Sequence, residues 1–142
     1  MKIQTKRAYE AASGKDGYRV LVDRLWPRGI SKADAALDEW CKDLAPSGKL
    51  REWFGHDPSR WAEFSRRYVQ ELDGKKDQIV ALMGRSSKRT ITLVHAAKDA
   101  AHNNAVILKQ VMEARGVNRR KTSSLPDEPP DTSSRIRRGF RD

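Results

Sequence analysis

The sequence predicts an α/β domain: a small single domain with a central, mostly parallel sheet flanked by helices. Three observations carry that expectation. Val20, Leu21 and Val22 are consecutive aliphatic residues, the pattern of a strand covered on both faces. "TITLVH", Thr90 to His95, is a second run rich in β-branched residues. Each run is followed by segments of helical period, and strands alternating with helices imply parallel pairing through crossovers. The 142 residues, 37% of them hydrophobic, are enough for one modest core.

Taken in order, Lys2 to Tyr9 shows a short β-like alternation, and "AASGKDG" is turn chemistry. Tyr18 to Leu25 reads as the second strand. "ALDEWCKDLAPS" is compatible with a helix through Leu37, Trp40, Cys41 and Leu44, or with a short strand, and Pro46 ends either. Ser47 can cap a short helix over Lys49 to Phe54. Asp57 is a natural N-cap for the next helix, with Pro58 where a missing N–H costs nothing. Trp61, Phe64, Tyr68 and Leu72 share one face of it, and Gly74 stops it. A shorter helix, Asp77 to Met83, ends at Gly84. After the strand Thr90 to His95, Asp99 can cap a helix to about Arg115, with Ala101, Ala105, Leu108 and Met112 on one face and Gly116 as terminator.

Composition then changes. Residues 117–142 hold Pro, Ser, Asp and Arg but few large apolar groups, so they cannot bury enough surface to offset their ordering entropy. The expectation is an α/β domain over 1–116 and a disordered basic tail over 117–142. Seven Lys or Arg against four acids leave +3 on that tail, so +7 of the formal +10 belongs to the domain. Such a charge favours anionic partners, small molecules or nucleic acid, and does not choose between them. Cys41 is the only cysteine, which excludes an internal disulfide and a cysteine-rich metal site. No apolar run approaches a membrane span, and "MKIQTKRAYE" lacks a secretory core. A cytoplasmic protein with no membrane partner is expected.

"GYRVLVDRLWPRGISK", "LDEWCKDLAPSGKLREWFGHDPSRWAEFSRRYVQEL" and "LVHAAKDAAHNNAVIL" together resemble the YeaO-like family, domain of unknown function 488. The resemblance runs from about Ile3 to Gly116. It implies a small cytoplasmic α/β domain with no agreed biochemical activity, so it brings no catalytic residues with it. His95 stands where the family typically has a tyrosine, and the Arg-rich tail lies outside the pattern.

Open α/β sheets bind ligands outside the carboxyl ends of their strands. Two strands here end in polar clusters: Asp23, Arg24, Arg28 and Lys32 after one, and His95, Lys98, Asp99, His102, Asn103 and Asn104 after the other. If the strands are parallel neighbours, both clusters share one rim. Arg24, Arg28 and Lys98 could hold a phosphate or carboxylate, with Asn103 beside them and Trp26 offering a ring. Asp23, Asp99 and His102 are the acid/base candidates, since Asp99 lies about one turn before His102. Arg51 and His56 could turn toward the same rim. The competing expectation is that Asp23 pairs with Arg24, Arg28 or Lys98 merely to fix the loop, while Trp26 and Pro27 pack as a lid.

Other constellations are weaker. His56, His95 and His102 have no metal-ligand spacing, so no metal is expected. "HAAKDAAHNNA" has no glycine, so no cofactor of the glycine-loop type is expected. Ser47 has no nucleophile elbow, and Cys41 sits in an apolar pattern as an inert thiol. The functional expectation is a pocket for a phosphate- or carboxylate-bearing small molecule at the carboxyl edge of the sheet, with catalysis left open. The alternative is a non-catalytic nucleic-acid-binding accessory protein that uses its basic surface and tail.

Overall fold

The computed structural model describes residues 2–86 and 90–124, with side chains as far as 115. The rest of the expected tail, 125–142, lies outside the described residues. The chain divides after Met112 into two compact units, and the sheet and its helices are described here for Met1–Met112.

Four strands, β1 (Lys2–Arg7), β2 (Tyr18–Leu21), β3 (Glu39–Trp40) and β4 (Thr90–His95), form one sheet in the order β1-β4-β2-β3. Every pairing is parallel, with Arg7 opposite His95, Leu21 opposite Val94, and Leu21 opposite Trp40. The strand β2 stops short of the expected Leu25. Val22 still donates its N–H to Val94 at 3.0 Å, and beyond it Asp23 turns away from the ladder. The ambiguous "ALDEWCKDLAPS" resolves into the two-residue β3 followed by a 3-10 turn, Lys42–Leu44.

The helices are α1 (Lys32–Ala35), α2 (Gly48–Phe54), α3 (Trp61–Asp73), α4 (Lys76–Arg85) and α5 (Asn104–Ser124). Ser47 caps α2 by accepting the Leu50 N–H, and Asp57 caps a 3-10 turn, Pro58–Arg60, that leads into α3. Phe64, Tyr68 and Leu72 of α3 are buried as the spacing predicts, with Trp61 at the core's edge. Gly84 does not end α4, which continues to Arg85.

The start and end of α5 differ from expectation. Asp99 instead organises a turn ahead of the helix, accepting the N–H groups of Ala101 and His102 at 2.9 and 3.0 Å. Asn103 is the cap, its Oδ1 accepting the Val106 N–H at 3.1 Å. Ala101 is consequently exposed and outside the helix, whereas Ala105, Leu108 and Met112 are buried. The helix also passes through Gly116 to Ser124. A glycine inside a helix costs only about 1 kcal/mol relative to alanine, too little to force a stop.

The two sheet faces are covered unequally. Ile3, Val20, Val22, Ile91 and Leu93 pack with buried residues of α2, α3, α4 and α5 in the main core. On the other side Ala8, Leu21 and Val94 are covered by Trp26, Ile30 and Leu37 from the stretch between β2 and β3, and by Trp40 of β3. Both faces of β2 are therefore dry, as its three consecutive aliphatics imply, but helices make most of only one cover.

A buried ion pair ties the turn before β2 to the sheet. Arg19, 4% exposed, donates to Asp16 at 2.6 Å and to the Ala35 carbonyl at 2.8 Å. Lys6 of β1 reaches the same carboxylate at 3.1 Å. Asp16 loses its hydration on burial, yet bonds from the Ser13 N–H, Lys6 and Arg19 hold its carboxyl below the usual range. Among the described residues no helix is long and apolar enough to cross a membrane.

Candidate functional site

Since β2 and β4 are adjacent and parallel, the chain leaves both at one rim of the sheet. Asp23 and Ala96, each just past its strand, meet there: the Asp23 carboxylate accepts the Ala96 N–H at 2.9 Å. A cleft of about 610 Å³ opens beside this contact, between the two post-strand loops and the segment from Pro46 to Phe64. The expected clusters, Asp23-Arg24 and Lys98-Asp99, both line it.

Four cations face the cleft: Arg24, Arg28, Arg51 and Lys98. Arg24 is steered by its Nε, which donates to the Pro46 carbonyl at 3.1 Å. Pro46 precedes the cap of α2, so this bond fixes the guanidinium against the helix that carries Arg51. The side chains of Arg28, Arg51 and Lys98 make no hydrogen bond or ion pair among the described residues. Asp23 therefore forms none of the ion pairs with Arg24, Arg28 or Lys98 that would close the rim.

Both acids hold backbone groups of the protein. Asp23 holds the Ala96 N–H, while its own carbonyl accepts the Trp40 indole N–H at 2.8 Å. Asp99 accepts two backbone N–H groups and lies 2.9 Å from His102 Nδ1. The His102 bond, with the Ala101 N–H behind it, holds the Asp99 carboxyl below its ordinary value. A carboxylate stabilised that way is a weak proton acceptor. The His102 ring also meets Trp61 edge-on, with centroids 5.1 Å apart.

Two sequence candidates take other roles. Trp26 borders the cleft but is no free exposed ring: its N–H donates to Ile30 at 2.7 Å and it packs edge-to-face on Trp40, centroids 5.4 Å apart. Asn103 is 3% exposed, and both ends of its amide are spent, on Val106 and on the Asp99 carbonyl. It borders the cleft, but its amide serves the loop. Ser47 likewise is a cap, its hydroxyl donating to Glu71 at 2.6 Å. The Cys41 thiol is half-buried and pushed upward, mainly by desolvation, and so is unreactive.

His95 lies just behind the rim, 2% exposed, with no partner for Nδ1 among the described residues. Burial lowers its pKa, opposed by the Asp23 charge and reinforced by Arg7. It does not line the cleft.

The apolar lining is what the sequence left unmarked. Phe54 stacks on Phe64 with centroids 4.2 Å apart, and both border the cleft with His56. Arg51 and Phe54 are three apart on α2 and so project from neighbouring turns of one face, the one sequence signal that pairs them. Tyr9, two residues past β1, also lines the opening, and no sequence pattern singles it out.

The model of the family described as the inactive DUF488-N3 subclade matches residues 2–130 of this chain. The chain belongs to that subclade. The match reaches beyond Gly116, so residues 117–130 fall inside a family pattern expected to end there. The chain is also 44% identical to the uncharacterized protein YeaO of Escherichia coli over 108 residues, 76% of this chain and 94% of that one. It is 42% identical over 116 residues to uncharacterized proteins of Mycobacterium bovis and Mycobacterium tuberculosis, 80% of this chain and 96% of each. No solved structure matches this DUF488-N3 member.

Proposed function

We propose that the cleft binds a small phosphate- or carboxylate-bearing molecule without turning it over. One observation carries this reading: cations without protein partners border the cleft, while the acids beside them are already engaged by the protein itself. Guanidinium forks on two walls suit a planar or tetrahedral anion, and Lys98 adds a point charge from a third. Of the three acid/base candidates, Asp23 and Asp99 serve the loops and His102 is paired through Nδ1 with Asp99, and the subclade's description as inactive agrees with binding alone.

The test is a thermal-shift titration with inorganic phosphate, phosphate monoesters and short carboxylates. A ligand of the native state raises the melting temperature according to its concentration over Kd. Arg28→Ala and Arg51→Ala should each weaken binding about tenfold, the scale of one charge-assisted contact. Absence of any anion-dependent shift sinks the proposal.

The formal charge of +10 favours the nucleic-acid reading as the second one. Salt separates the two. A protein neutralising many phosphates loses affinity steeply between low and moderate salt, whereas a small anion held by three or four cations loses much less. Tight oligonucleotide binding with a steep slope, unaffected by Arg51→Ala, would move the function from the cleft to the surface.

A further inference from the structure

Tyr9 is 47% exposed, yet it is held at both ends. Its hydroxyl donates to the Arg28 carbonyl at 2.9 Å, and the Arg7 guanidinium sits 5.0 Å from its ring centroid. Arg7 is itself fixed, its Nε donating to the Ala97 carbonyl at 3.1 Å. An exposed tyrosine ordinarily samples several rotamers. This one is pinned across the mouth of the cleft, spanning the loops that follow all three long strands.

The donors of Tyr9 and Trp26 on this wall are already used, and the Arg28 guanidinium beside them is the free one. The Tyr9 hydroxyl is on Arg28, the Trp26 N–H is on Ile30, and between them Leu25 is 56% exposed. Apart from the Arg28 guanidinium, what Tyr9, Leu25 and Trp26 bring to the lining is mainly ring and aliphatic carbon. A polyol laid on those two rings would find few partners for the hydrogen bonds it gives up with water. A flat ring would instead cover apolar surface without stranding a donor, and an ordered tyrosine gives up little conformational freedom on stacking.

From these contacts we infer that the ligand carries a planar aromatic ring beside its anionic group, and that Tyr9 is the platform for that ring. The inference rests on the anion-binding reading above. Arg28 supplies both halves of the geometry: its carbonyl orients Tyr9 and its guanidinium is available to the anion. The ring and charge are thereby held at a set spacing, which favours aryl and heteroaryl phosphates or carboxylates over sugar phosphates.

Three probes test it by calorimetry: phenyl phosphate, cyclohexyl phosphate and inorganic phosphate. On the native protein phenyl phosphate should bind about tenfold tighter than the other two, the scale of one stacking contact. Tyr9→Ser should reduce that advantage below about threefold, while Tyr9→Phe, which keeps the ring and loses its tether, should retain part of it. Because Tyr9 is half outside the protein, the unliganded melting temperature of each variant serves as the folding control. Equal binding of all three phosphates overturns the ring platform and leaves the anion site standing. No binding of any of them overturns both.

Discussion

Asp23 accepts the Ala96 N–H at 2.9 Å, so the loop after β2 is tied by a side chain to the loop after β4. This contact makes Asp23 a structural acid in a cationic cleft, and its charge would oppose the anion proposed to bind there. Asp23→Asn keeps an oxygen to accept the N–H and removes the charge. It should therefore tighten phosphate binding, by about threefold to tenfold for one charge near the protein surface. Asp23→Ala should lose about 1–3 kcal/mol of stability because the Ala96 N–H is stranded. Calorimetry and chemical melts read the two effects separately, and weaker phosphate binding by Asp23→Asn would refute this assignment.

His95 predicts the acid limb of the stability curve. Its folded-state pKa lies below the ordinary value of 6.5 because burial disfavours the imidazolium. The unfolded chain thus takes up the proton first as pH falls. Stability is full above pH 6.5 and declines below it toward the folded pKa, by at most about 1.4 kcal/mol per pH unit. The groups facing the ring are Asp23, which favours protonation, Glu10, which does so too, and Arg7, which resists it. His95→Phe should flatten the curve between about pH 6.5 and 5. Carboxylates such as Asp16 and Asp99, held low, act only below that window. An unchanged slope in denaturant melts of the variant would exclude His95 as its source.

Arg19 and Asp16 are both almost wholly buried, so removing one leaves the other charged and dry. Asp16→Ala should cost about 3–5 kcal/mol, well above the effect of a surface ion pair. Glu63, exposed and paired with Arg66 and Arg67, is the internal control: Glu63→Ala should have much the smaller effect. Equal losses in urea melts would mean that the burial of Asp16 does not govern its contribution.

Gly17 sets the entry of β2. Its φ is +65°, and a Cβ there would lie 2.3 Å from the Thr90 carbonyl oxygen at the start of β4. Gly17→Ala combines left-handed strain with a backbone clash and should cost more than about 2 kcal/mol. Gly14→Ala, which meets nothing within 4 Å and does not require positive φ, should be within about 0.5 kcal/mol of the native chain.

The main elements were legible because each announces itself locally. The run Val20–Val22 marks β2, and Thr90–His95 β4, by composition, and Trp61, Phe64, Tyr68 and Leu72 mark α3 by period. Boundaries were less so. Asp99 and Asn103 are both good caps four residues apart, and only packing selects Asn103, whose side chain is buried between Val106 and the Asp99 carbonyl. At the cleft, the joint rim of Asp23 and Lys98 followed from polar residues at the ends of two strands. The roles of Tyr9, Phe54 and Trp26 did not.

The sequence by itself determined the longer elements of this protein, its excess of positive charge, and the polar residues placed where the strands run out, but neither α1 nor the choice of β3 over a helix. Periodicity and turn chemistry are properties of neighbours along the chain, so they can be read there. Tertiary structure alone decided which of those polar groups remain available. Asp23 is tied to Ala96, Asn103 is spent on a helix start and Trp26 on Ile30, while Arg28 and Arg51 keep their donors. A hydrogen bond between residues 73 positions apart leaves no local trace, because it depends on where two loops meet in space.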